Sequence, residues 1–127
     1  MSDIPGESHS PHTRTEIERI EQGLDVRYYY CIVRTDMPLA DQLCQVSHVC
    51  VKAGRKFLID QDTCMVMLQV PDEDALIELA TKIANHATID CVSFEEPDLD
   101  NTMTAICTNA ISGIDRMQFI DYDLWRE

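Results

Sequence analysis

Tyr28–Gly54 reads YYYCIVRTDMPLADQLCQVSHVCVKAG, and the fold class turns on how this stretch divides. Tyr28 to Val33 is an unbroken apolar run of aromatic and β-branched residues, the composition of a strand buried on both faces. Arg34-Thr35-Asp36 breaks the run, and Pro38 suits a first helical turn, where its missing N–H has no partner to lose. Leu39, Leu43, Val46 and Cys50 then recur at helical spacing, which predicts a helix with one apolar stripe laid on a sheet. Asp41, Gln45, His48 and Lys52 fall on the opposite, polar face. Ligands of open α/β sheets sit beyond the carboxyl ends of strands, so chemistry is expected at this polar face and the adjoining Arg34-Thr35-Asp36 turn.

Upstream, residues 1–12 are polar and contain Pro5, Gly6 and Pro11, the composition of a flexible tail. Thr15–Gln22, with its capping-box pair Thr15 and Glu18 and the following Gly23, predicts a short helix. Residues 1–26 therefore read as a tail and 27–127 as a single domain. Downstream, Gly54 suits a left-handed helix cap, and Asp60–Asp62 form a polar turn. Thr63–Val70 is a second buried strand. Asp72 is placed to cap the next helix, with Glu73 and Asp74 against the positive end of its dipole. Its buried stripe is Leu76, Leu79, Ala80 and Ile83. Thr88–Phe94 and Met103–Thr108 complete four strands, separated by the acidic loop Glu95–Asn101. Ser112 and Asp115 form a capping box that opens a last helix through Ile120. This order gives an α/β fold with a mixed sheet covered on both faces. The expected core is Cys31, Ile32, Val66, Leu68, Val92 and Ile106, packed by Leu43, Val46, Leu76 and Ile83.

At 127 residues the chain buries a core without needing disulfides or a metal. No apolar run approaches the roughly 20 residues of a membrane helix, and the first residues lack the pattern of a signal peptide. A cytoplasmic protein with no membrane association is the expectation. The six cysteines include no close-spaced pair, and Cys31, Cys64, Cys91 and Cys107 lie in apolar runs. Free, buried thiols are expected rather than a disulfide framework or a metal site. The net charge of −13 repels nucleic acid on average, because binding to phosphates rests on Lys and Arg displacing counterions. Local arrangement opposes the average: Arg27, Arg34, Lys52, Arg55 and Lys56 flank the first strand and the far end of its helix. There is no Gly-rich phosphate loop, no HExxH and no GxSxG.

Four segments in order resemble the type II peptidyl-tRNA hydrolase family. They are Val33-Arg34-Thr35-Asp36-Met37, Cys44-Gln45-Val46-Ser47-His48-Val49, Val70-Pro71-Asp72-Glu73-Asp74-Ala75-Leu76, and Ile114-Asp115 with Leu124-Trp125. The likeness spans about residues 28–125 and implies a three-layer α/β/α sandwich on a four-stranded mixed sheet. Two lysines usual in that family are replaced by Leu39 and Asp41, and its D-A-G-x-T loop by Glu96-Pro97-Asp98. Glu95, Pro97, Thr102 and Ala105 are similar to a divergent branch, the peptidyl-tRNA hydrolase domain-containing proteins, which also lacks the lysines.

Two functions follow. One is hydrolysis of the ester joining a peptide to the tRNA 3′ end, which needs a base or positioned water and an oxyanion donor. Glu96 would orient water, Thr104 or Thr102 would supply a hydroxyl, and Gln45 and His48 would flank the site. Arg34, Asp36, Lys52, Arg55 and Lys56 are the substrate-binding candidates, with no cofactor or metal. The other is a catalytically degenerate module that binds a protein partner or a small ligand. Either is compatible with a monomer or a homodimer.

Overall fold

The computed structural model describes residues 27–60 and 62–126; the expected tail and its short helix lie outside them. The first apolar run forms β1 (Tyr28–Arg34), followed by α1 (Leu39–Phe57). β2 (Cys64–Val70), α2 (Glu73–Ala84), β3 (Cys91–Glu96) and β4 (Thr102–Thr108) follow. The chain closes with a 3-10 helix over Gly113–Phe119 and a two-residue strand, β5 (Asp123–Leu124). The architecture is mixed α/β on one sheet of order β3-β4-β1-β2-β5. Five strands rather than four make it up, because Trp125 N–H donates to Met67 O (2.9 Å) and draws the C-terminal segment onto β2.

The apolar run of β1 sits centrally, parallel to β2 from Tyr28↔Cys64 to Arg34↔Val70 and antiparallel to β4. Alternate residues of this strand feed separate clusters on the two faces of the sheet. Tyr30 and Ile32 join Leu68, Ile106 and the α2 residues Leu76, Leu79 and Ile83. Cys31 and Val33 join Val92, Ala105 and Cys107 beneath Val46, Val49 and Ala53 of α1. Of the expected core, Val66 is only half-buried, since β2 has just the two-residue β5 on its outer side.

The phase of α1 differs from the sequence reading. Leu39 and Leu43 are 42% and 45% exposed, and the buried side chains are Gln42, Gln45, Val46, Val49 and Ala53. Small and β-branched residues bring the helix close to the sheet. The two glutamines are tolerated inside because their amides are paired. Gln42 Nε2 donates to Met37 O (2.8 Å) and its Oε1 accepts from Trp125 Nε1 (2.8 Å). Among the described residues no buried side-chain nitrogen or oxygen lacks a partner.

Helix ends depart from the reading in three places and agree in one. Pro38 is the N-cap of α1 rather than its first residue, and the helix passes Gly54 to end at Leu58, whose φ of 52° is the left-handed cap. Arg55 and Lys56 in that last turn favour the extension through the helix dipole. Ser112 makes no side-chain cap, and the segment after it is 3-10 rather than α. Asp72 does cap α2, accepting from Ala75 N–H at 2.9 Å.

Candidate functional site

The carboxyl end of β1, the end of β3 and the start of β4 lie at one edge of the sheet, beside the first half of α1. The placement of Thr104 there depends on an irregularity in β4. Phe94 pairs with Ala105 but Glu95 pairs with Met103, so Thr104 is the extra residue of a β-bulge. The bulge resets the alternation: Met103 and Ile106 pack on the α2 side, Ala105 and Cys107 on the α1 side. Thr104 is turned toward α1 as well.

There its hydroxyl, fully buried, donates to Gln45 Oε1 at 2.8 Å and lies 3.2 Å from Phe94 O. Gln45 Nε2 in turn donates to Glu96 Oε2 at 3.3 Å. The amide orientation follows from chemistry: a carboxylate needs a donor, so Nε2 faces Glu96 and Oε1 is left for Thr104. Nε2 carries two N–H groups and spends one on Glu96. Glu96 is half-buried, so the chain Thr104–Gln45–Glu96 runs from the interior to the rim. Such an arrangement fixes a carboxylate and a spare amide donor with little freedom to lose.

His48, one turn beyond Gln45 on α1, is exposed and stacks on Phe94 with ring centroids 4.7 Å apart and planes 6° apart. From this stack an open hollow of about 470 Å³ continues along α1, lined by His48, Val51, Lys52, Arg55, Lys56 and Phe94. Lys52 Nζ donates to Ser93 O (2.7 Å), and Lys56 lies 3.8 Å from Asp90. Arg55 pairs with no carboxylate among the described residues. It lies ten residues past Gln45, about 15 Å along the helix.

Arg34 and Asp36 are not part of this group. Arg34 grips Asp36 through two bonds, Nε to Oδ1 at 2.6 Å and Nη2 to Oδ2 at 2.8 Å, and a third N–H reaches Met103 O at 3.2 Å. Met103 N–H donates to Glu73 Oε2 (2.8 Å), so Arg34 faces the start of α2 across the sheet from Lys52. The bond to Asp36 raises the Arg34 pKa, and the same bond holds the Asp36 carboxyl below its ordinary value against the opposing effect of burial. Thr102 is half-buried on β4 opposite Glu96, and its hydroxyl donates to Leu99 O (2.8 Å).

The structure thus brings together Gln45, Glu96, Thr104 and His48, extends them with Lys52, Arg55 and Lys56, and separates Arg34 and Asp36 from them. Sequence reasoning missed Phe94, whose aromatic face against His48 has no signal in spacing. It also placed Gln45 on the outer face of the helix. Among the described residues no group of three or more His, Cys, Asp or Glu side chains is arranged to hold a metal ion, and no helix is long and apolar enough to cross a membrane. The chain matches no protein-family model and no curated protein.

Proposed function

We propose that the protein is a divergent peptidyl-tRNA hydrolase-like enzyme of the cytoplasm, built as a three-layer α/β/α sandwich, that cleaves the ester between a peptide and the tRNA 3′ end. The observation that carries this reading is the hydrogen-bonded chain Thr104–Gln45–Glu96 at the sheet edge. Glu96 accepts the proton of a water as it attacks the ester carbonyl, and the second N–H of Gln45 donates to the oxygen that gains charge. Thr104, with no exposed surface, acts through Gln45 as a positioning residue. The His48–Phe94 stack offers a flat face to the terminal base, and Lys52, Arg55 and Lys56 lie along the path of the phosphates.

A second reading, a catalytically degenerate module, is favoured by a different feature. The hollow beside the site mixes Val51 and Phe94 with cations, and Lys52 already has a protein partner. A partner that presents an apolar group beside carboxylates fits it.

A filter-binding titration of tRNA at low and high salt tests the first reading. Affinity is expected to fall by roughly 0.7–0.9 log units per phosphate contact for each tenfold rise in salt, and Arg55→Glu with Lys56→Glu is expected to abolish binding. No binding at low salt would overturn the hydrolase and leave the module.

A further inference from the structure

The hollow along α1 sets two demands that one ligand has to meet. It presents apolar surface, with Val51 66% exposed beside the ring of Phe94, and it carries Lys52, Arg55 and Lys56. Arg55 pairs with no carboxylate among the described residues. A phosphate backbone matches the cations and leaves Val51 uncovered. An acidic segment with aliphatic side chains matches both, and exposed apolar surface ringed by charge marks such a docking site.

A segment of that chemistry begins close by. Arg27 lines a second hollow with Phe57 and Asn109. Asn109 Oδ1 accepts from Asp90 N–H (3.0 Å), and Asp90 lies 3.8 Å from Lys56, so the chain before Arg27 leaves the domain beside the Lys56 end of the α1 hollow. In residues 15–25, Glu16, Glu18, Glu21 and Asp25 outnumber Arg19, the one cation. On the helix that the capping box predicts, Ile17 and Ile20 share one face, Glu16 and Glu21 border it at four-residue spacing, and Arg19 points away. The lengths agree as well. His48 to Lys56 spans about 12 Å of α1, and the eight residues 15–22 span about 12 Å as a helix. Residues 23–26 bridge at most about 14 Å, enough to bring that segment back along α1.

We propose that residues 15–22 of this chain dock in the α1 hollow, with Ile17 and Ile20 against Val51 and Phe94 and with Glu16 and Glu21 toward Lys52, Arg55 and Lys56. Tethering makes the step intramolecular, so modest contacts are enough to hold the segment in place. Docked there, it lies across the surface that the hydrolytic reading gives to the phosphates and competes with tRNA for it. That consequence rests on the hydrolytic reading, whereas the docking does not.

Carbodiimide cross-linking of the full chain tests the docking without tRNA, because the reagent joins a carboxylate to a lysine in contact with it and Lys52, Lys56 and Lys82 are the only lysines. Equal parts of unlabelled protein and protein uniformly labelled with heavy nitrogen are mixed at low salt, treated and digested with trypsin. The Lys56–Asp90 pair, 3.8 Å apart, serves as the internal standard. The expected product joins the peptide of residues 15–19 to Thr35–Arg55 through Lys52, or to Lys56–Lys82 through Lys56, with both halves light or both heavy. Ile17→Ser with Ile20→Ser leaves every carboxylate in place and should cut the yield about tenfold through lost apolar burial. Pairs of mixed isotope would make a second copy the occupant and overturn the proposal. It is equally overturned by links to Lys82 as frequent as those to Lys52 and Lys56, by no link from residues 15–19, or by an unchanged yield in the double serine variant.

Discussion

Thr104→Val removes one hydroxyl and keeps the side-chain shape, which isolates the role of the bulge residue. In the folded protein that hydroxyl is fully buried and donates to Gln45 Oε1 at 2.8 Å. Its loss leaves the oxygen of a buried amide without a donor, at a cost of about 1–3 kcal/mol. With a urea slope of about 1–3 kcal/mol/M for a domain of this size, a 2 kcal/mol loss moves the unfolding midpoint down by about 0.7–2 M. Adding Gln45→Leu removes the stranded acceptor, so a double-mutant cycle should return a coupling energy of about 0.5–3 kcal/mol. The double variant also strips Glu96 of its amide donor, and this is expected to show in substrate turnover rather than in stability. Equilibrium urea unfolding followed by far-UV circular dichroism measures all four species. A Thr104→Val midpoint within about 0.3 M of the parent, or additive energies in the cycle, would refute the buried Thr104–Gln45 contact and the helix phase that creates it.

Further substitutions probe the frame around that contact. Leu43→Gln should change stability by no more than about 0.5 kcal/mol because the side chain is largely exposed, whereas Val49→Ala should cost about 1–2 kcal/mol; denaturant midpoints compare them directly. Arg116, only 2% exposed, donates from Nε to Tyr30 OH (2.8 Å) and lies 3.8 Å from the ring centroid of Tyr28, so Arg116→Ala should cost about 3 kcal/mol or more in thermal or urea unfolding. Asp36 is held below its ordinary pKa by Arg34, so its contribution is present above about pH 4 and lost as pH falls through its lowered folded value. The stability difference between the parent and Asp36→Asn, followed from pH 7 to pH 2, should therefore shrink on acidification. It should stay below about 1 kcal/mol because the pair is partly exposed. Thiol titration in denaturant without reductant should count six free cysteines.

The central strands were legible because their signal is redundant. In Tyr28–Val33 nearly every residue is apolar, so any pairing register buries it, and Asp72 is one of few residues able to cap a helix at that point. The phase of α1 was not legible. Leu39, Leu43, Val46 and Cys50 form one apolar stripe, while Val46, Val49 and Ala53 form another about a quarter-turn away. The choice between them rests on partners distant in sequence: Trp125 for Gln42, and Thr104 and Glu96 for Gln45. The bulge that turns Thr104 inward has no local mark either, since Met103-Thr104-Ala105 reads as ordinary strand. Ser112 and Asp115 carried a capping-box signal, yet Gly113 at φ 61° sets the backbone so that a 3-10 turn follows. Nothing local marks Arg116 for burial; Tyr28 and Tyr30, more than eighty residues away in sequence, enclose it. In the candidate site, the structure places Glu96, Gln45, Thr104 and His48 near one another, while strand alternation puts Arg34 on the α2 side, apart from the α1 cations.

The hydrolytic reading meets its most direct test in single-turnover release of peptide from N-blocked aminoacyl-tRNA, measured side by side for the parent protein, Glu96→Gln and Gln45→Ala. Release above the uncatalysed rate is expected for the parent, with a fall of about 10²–10⁴-fold in Glu96→Gln from loss of the general base. Gln45→Ala should lose about 10²–10³-fold, the cost of a missing oxyanion donor. Release by Glu96→Gln at the rate of the parent, or no release by a parent that binds tRNA, would contradict it.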